Sequence, residues 1–251
     1  MNIIIHPLAI IYILLSLIFD RFQMLFFLYL FGLIHELSHV LMGLVFKVKT
    51  TEVILYPTGF LAKMEDYSSK QIYKQILIIL AGPLSYFFSL TLINILFYFK
   101  IISIYGLREC NHLNLLVLLF NLLPCFPFDG GKLIDIIIAY FLSEYKTRII
   151  RILLGIIVII FLIVICRSMG DYLFVFIILS NCISNCINLK KDYFIFLLQR
   201  KIKSNNYKNK LNKRIEIYRY RNNYYIDENK NILNEHKIID QLFLKNNYLI
   251  K

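Results

Sequence analysis

The chain has no tryptophan, no Cys-x-x-Cys pair, five prolines and only 18% charged residues. Each scarcity excludes something. So few charges cannot cover the surface of a soluble domain of this length. The five cysteines, Cys110, Cys125, Cys166, Cys182 and Cys186, have neither disulfide-framework nor zinc-finger spacing, so they read as small hydrophobes in apolar segments. The N-terminus lacks the basic region and small-residue cleavage site of a signal peptide, so the first apolar segment is expected to be retained. Proline is rare enough that its positions carry information, and three of the five fall in two apolar stretches, at Pro83, Pro124 and Pro127.

What is present is apolar. Of 251 residues 59% are hydrophobic, and the mean hydropathy is +0.64, the profile of a protein that crosses a membrane several times. The net charge of +12 is uneven. Residues 190–251 hold 15 Lys and Arg against 6 Asp and Glu, and residues 1–189 hold 13 against 10. Beside a membrane domain, a basic tail reads as cytoplasmic and drawn to anionic lipid, with no nucleic-acid partner.

Phe22 to Phe46 reads FQMLFFLYLFGLIHELSHVLMGLVF, and His35, Glu36 and His39 are its only His, Asp, Glu, Lys or Arg residues. On a helix, His35 and His39 project from one face a turn apart. Neutral imidazoles at that spacing can reach one zinc ion, and Glu36 is placed to take a proton from an attacking water. Such residues are costly in hydrocarbon, so an intramembrane functional site is the default reading. The alternative is a chance motif whose polar groups satisfy one another.

The other segments follow in order. Ile3 to Phe19 is a first apolar run, with His6 an interfacial residue or a further metal group. Thr51 to Asp66 changes to a two-residue period around a Pro57–Gly59 turn, which reads as a short β-hairpin or a plain cytoplasmic loop. A hairpin at membrane depth would have to be buried or line a wet cavity, and its edge could take up an extended peptide. Gln71 to Phe99 is apolar and interrupted by Ala81-Gly82-Pro83, a kink or a close helix contact. His112 to Phe141 carries Asn121-Leu-Leu-Pro-Cys-Phe-Pro-Phe-Asp129-Gly-Gly, which breaks a helix within an apolar stretch. Asp129 reads there as a third zinc ligand, leaving a fourth position for water, or as a helix cap. Asp135 reads as the partner of a nearby basic group. Two more apolar spans, Ile149–Cys166 and Tyr172–Leu189, bring the count to about six. Lys and Arg placement then puts both termini in the cytoplasm. In the tail, 200–214 reads as a basic linker, 215–226 as a strand or hairpin, and 235–244 as an amphipathic helix.

With HELSH in one span and N-L-L-P-C-F-P-F-D-G-G in a later one, residues 3–189 resemble the site-2 proteases, zinc metalloproteases that cut within membranes. The six-span plan and early HExxH look most like the stage IV sporulation protein FB group. The resemblance implies an all-α polytopic membrane protein with a membrane-dipping β-hairpin and a small α+β tail. Its domains would be 1–189 for the protease and 190–251 for a cytoplasmic tail with room for about half a CBS domain. It implies one zinc ion on His35, His39 and Asp129, with Glu36 as base and Asn121 orienting substrate or donating to the oxyanion. Tyr56, Gly59, Phe60 and Pro127 would contact substrate. The implied partners are a membrane-associated substrate, pro-sigma-K or another anchored regulator, and membrane-protein inhibitors. A metal transporter, with midplane polar residues on broken helices, and an inactive homologue that sequesters partners are the rival readings.

Overall fold

The computed structural model describes residues 2–18, 22–56, 59–64, 67, 70–165, 169–202, 209–212, 216–226 and 232–245. The chain forms two compact units, Met1–Leu123 and Pro124–Lys251. Cys166, Pro57 and, of the 200–214 stretch expected as a linker, residues 203–208, 213 and 214 lie outside the described residues; 200–202 are helical and 209–212 form a strand.

In the first unit, strand β1 (Asn2–Ile5) precedes helices α1 (Pro7–Ile18) and α2 (Phe22–Val45). The N-terminal apolar run therefore begins as a strand. Three successive β-branched isoleucines favour the extended chain, and β1 pairs in parallel with β2 (Thr50–Tyr56). Pro7 then suits the first turn of α1, whose 12 residues rise about 18 Å, short of a hydrocarbon core. Strand β2 pairs antiparallel with β3 (Gly59–Met64), so the sheet order is β1-β2-β3 and β3 is an outer strand. Gly59 enters β3 at φ +133°, a conformation that favours glycine.

Helix α2 ends in a Schellman turn: Val48 N donates to Gly43 O at 2.8 Å and Lys47 N to Leu44 O at 3.0 Å. Lys47 takes the left-handed position, where its charge suits the negative helix end. Helix α3 (Ile72–Tyr98) runs unbroken through Pro83, and α4 (Ile104–Asn121) starts at a Ser103 cap whose Oγ accepts from Gly106 N. Phe31, Ile93, Cys110 and Leu113 form the core joining α2, α3 and α4.

In the second unit a loop leads to α5 (Asp129–Phe141), α6 (Glu144–Ile165) and α7 (Met169–Ile202). Strands β4 (Asn209–Asn212), β5 (Asn222–Ile226) and β6 (Ile232–Leu233) and helix α8 (Glu235–Lys245) complete it. Sixty tail residues would bury little by themselves, but α7 continues past the apolar run and supplies half of a core. Tyr193 and Leu197 of α7 pack with Ile217, Ile238, Ile239 and Leu242. Among the described residues, three helices are long and apolar enough to cross a membrane: α2, α3 and most of α6.

Candidate metal centre

His35 and His39 are both buried on α2, with their Nε2 atoms 3.2 Å apart. His39 Nδ1 lies 2.7 Å from the Ile78 carbonyl of α3. A carbonyl only accepts, so Nδ1 carries a proton, and a neutral ring held this way would present its Nε2 lone pair. Two imidazole nitrogens bound to one tetrahedral zinc at the usual bond length stand about 3.3 Å apart, close to the separation seen here. The carbonyl contact is the kind of outer hydrogen bond that orients a metal-binding histidine.

Room for the rings comes from α3. A Cβ on Gly82 would collide with Nε2 and Cε1 of His39 and with Cε1 of His35. The Ala-Gly-Pro element is thus a close helix contact, and glycine there makes space for the imidazoles. Ser85 Oγ donates to the Gly82 carbonyl at 2.6 Å, and Ser38 Oγ to the Ile34 carbonyl at 2.8 Å. Both hydroxyls are thereby satisfied inside their own helices.

Glu36, half-buried beside His35, accepts from the backbone N–H of Ala62 on β3 at 2.6 Å. The carboxylate thus bonds an amide of the outer strand. Phe60 of β3 meets Tyr29 of α2 edge-on at 6.1 Å, and Tyr56 of β2 stacks on His6 at 5.1 Å. Gly59 begins β3 and pairs with Tyr56 of β2. Asn121 ends α4 and donates from Nδ2 to the Val117 carbonyl at 2.8 Å.

In the second unit, Pro124 and Pro127 lie in a loop and the Asp-Gly-Gly segment begins α5. Pro127 lies in the connecting loop, and Phe128 N donates to Cys125 O at 3.1 Å. A Cβ on Gly131 would strike the Cys125 and Phe126 backbone, so glycine lets the loop fold onto the first turn of α5. Asp129 is 2% exposed at that first turn, where the helix dipole favours a carboxylate. Lys132 Nζ stands 2.9 Å from Asp129 Oδ1 and supplies the positive charge that a buried carboxylate needs.

Sequence reasoning missed the Ile78 carbonyl and the Ala62 N–H, because backbone groups leave no residue signature. It flagged the Gly-Pro pair as a kink or a close helix contact, without linking Gly82 to the histidines.

No family model matches the chain. Stage IV sporulation protein FB of Bacillus subtilis is 29% identical over 144 residues, covering 57% of this chain and 50% of that protein. A zinc metalloprotease of Methanocaldococcus jannaschii is 33% identical over 109 residues, covering 42% of this chain and 31% of its own length. The chain therefore spans half or less of the curated relatives it matches. Among solved structures, the site-2 protease from Methanocaldococcus jannaschii shares the fold at a TM-score of 0.50 and 24% identity, covering 75% of this chain and 89% of that one. The named relatives are thus similar to this chain in sequence over part of their length, and the site-2 protease structure shares its fold.

Proposed function

We propose that the chain is an intramembrane zinc metalloprotease that hydrolyses a peptide bond in or near a membrane-associated segment of a regulatory protein. The observation that carries this reading is the facing pair of buried imidazoles, 3.2 Å apart, with a carboxylate on the next residue. His35, His39 and Asp129 would hold the zinc, a donor set of two nitrogens and one oxygen that suits a catalytic site. When bound, zinc makes water acidic enough to supply hydroxide near neutral pH.

The chain's own residues do the rest. Glu36 accepts the proton of the attacking water and returns it to the leaving amine. Asn121 donates to the developing oxyanion or orients the substrate. A helical substrate hides its amides, so it must unwind; pairing with the outer strand β3 would hold it extended, with Tyr56, Gly59, Phe60 and Pro127 contacting its side chains. Of the two edge strands, β1 and β3, the second is favoured because its Ala62 N–H reaches Glu36. We assign about six spans on the apolar runs, a membrane-dipping hairpin on the family resemblance, and cytoplasmic termini on the Lys and Arg distribution. The domains are 1–189 for the protease and 190–251 for the tail. The sporulation relative favours pro-sigma-K as substrate, with membrane proteins as inhibitors.

The test is co-expression with tagged pro-sigma-K from the same genome, wild type beside Glu36→Gln. A shortened product with wild type alone is expected. Uncut substrate in both, with zinc bound to wild type, would retain the metal site and refute the substrate.

A further inference from the structure

A group of buried charges in the second unit has no part in the proposed hydrolysis. Asp135 lies on α5 six residues beyond Asp129, about 9 Å along the helix axis. It is 6% exposed, and two arginines grip it. Arg151 of α6 approaches Oδ1 with Nη2 at 2.6 Å and Nε at 3.0 Å. Arg219 of the tail approaches Oδ2 with Nη1 at 2.7 Å. Arg219 also forks onto Glu144, the fully buried first residue of α6, at 2.7 Å and 3.0 Å. The same Arg151 guanidinium stands 4.3 Å over the Phe126 ring, in the loop that leads to Asp129.

The tail presents Arg219 from a fixed turn. Asn223, fully buried, accepts from Tyr218 N at 2.9 Å and donates back to Tyr218 O at 3.1 Å, while Arg200 donates to the Arg219 carbonyl at 3.1 Å. Glu144 N donates to Ile217 O at 2.9 Å, which locks the turn onto the start of α6. Burial opposes the charge on Arg219, but Glu144 and Asp135 outweigh it and hold the guanidinium pKa well above its usual value.

We propose that Arg219 is a positioning residue for Asp129. Through Asp135 it fixes the helix that follows the ligand, and through the shared carboxylate it holds Arg151 against the loop that precedes it. The tail thereby sets the metal affinity of the site through the placement of Asp129. This rests on the reading that Asp129 is a zinc ligand. The network itself depends on no metal.

The test measures zinc affinity by chelator competition on the full chain in detergent, beside thermal unfolding. The variants are Arg219→Ala, Arg219→Lys, Lys146→Ala and Asp129→Ala. Lys146 anchors the same tail segment through Glu216 at 2.7 Å without contacting Asp135, so it controls for docking alone. Expected are wild-type affinity in Lys146→Ala, about tenfold weaker binding in Arg219→Ala, and partial recovery in Arg219→Lys. If Arg219→Ala fails to fold, Arg219→Lys decides, since intermediate affinity is required of it. Wild-type affinity in a folded Arg219 variant, or equal loss in Lys146→Ala, overturns the proposal. Unchanged affinity in Asp129→Ala instead overturns the ligand assignment beneath it.

Discussion

Replacing Gly82 by alanine sets two effects of opposite sign against each other. Alanine favours a helix over glycine by about 1 kcal/mol, so propensity alone predicts a more stable α3. The added Cβ, however, would occupy the space of the His39 ring and press on His35. Both neighbours sit on the facing helix α2, and overpacking of this kind costs about 1–3 kcal/mol. Moving His39 also breaks its bond to the Ile78 carbonyl, a further ~1 kcal/mol. Folding stability should therefore fall by only about 1–3 kcal/mol. Zinc binding should fall much further, because imidazoles displaced by the order of 1 Å no longer share one tetrahedral ion; we expect a loss of at least about 100-fold. Chelator competition on detergent-solubilised protein measures the affinity, and a thermal scan shows that the fold persists. Gly32→Ala is the control, since a Cβ there meets nothing within 4 Å on the same helix as the histidines; its zinc affinity should be unchanged. Folded Gly82→Ala with wild-type zinc affinity would refute the steric reasoning.

Four further outcomes follow from the same geometry. Glu36→Gln keeps an oxygen for the Ala62 N–H, so zinc should bind normally while cleavage falls about 10²–10⁴-fold; retained turnover would remove Glu36 from its role as base. Asn121→Ala should lower kcat about 10²–10³-fold if its amide serves the oxyanion, and an unchanged kcat would leave it a helix-end residue bonded to Val117. Leu197→Ala empties a fully buried position in the tail core and should cost about 2–5 kcal/mol, read as faster amide exchange in α8. Chelation of the metal should abolish cleavage and zinc should restore it; turnover that survives exhaustive chelation would exclude a metalloprotease.

Much of this protein was legible in its sequence because some residues are costly wherever they stand. Two histidines and a glutamate in a helix of leucine and phenylalanine have to be explained by function, and helical spacing alone puts the two imidazoles on one face. Two prolines three residues apart and the Gly-Gly pair marked where α4 stops and α5 starts, since together they remove backbone donors and favour non-helical conformations, whereas the single Pro83 is accommodated within α3. Alternation after α2 left a hairpin and a plain loop equally open, and the pairing of β2 with β3 decided for strands.

Other features depended on groups far apart along the chain, and only the folded molecule settled them. Ile3-Ile4-Ile5 is as apolar as any membrane segment; its pairing with β2 makes it a strand. The Ile78 carbonyl that orients His39 and the Ala62 N–H that meets Glu36 are backbone groups, identical at every non-proline residue and distinguished by position alone. Asp135 read only as a carboxylate needing a cation, while Arg219, 84 residues later, looked like one more charge in a basic tail. Their pairing depends on long-range packing that places the buried groups together, and sequence spacing does not encode that.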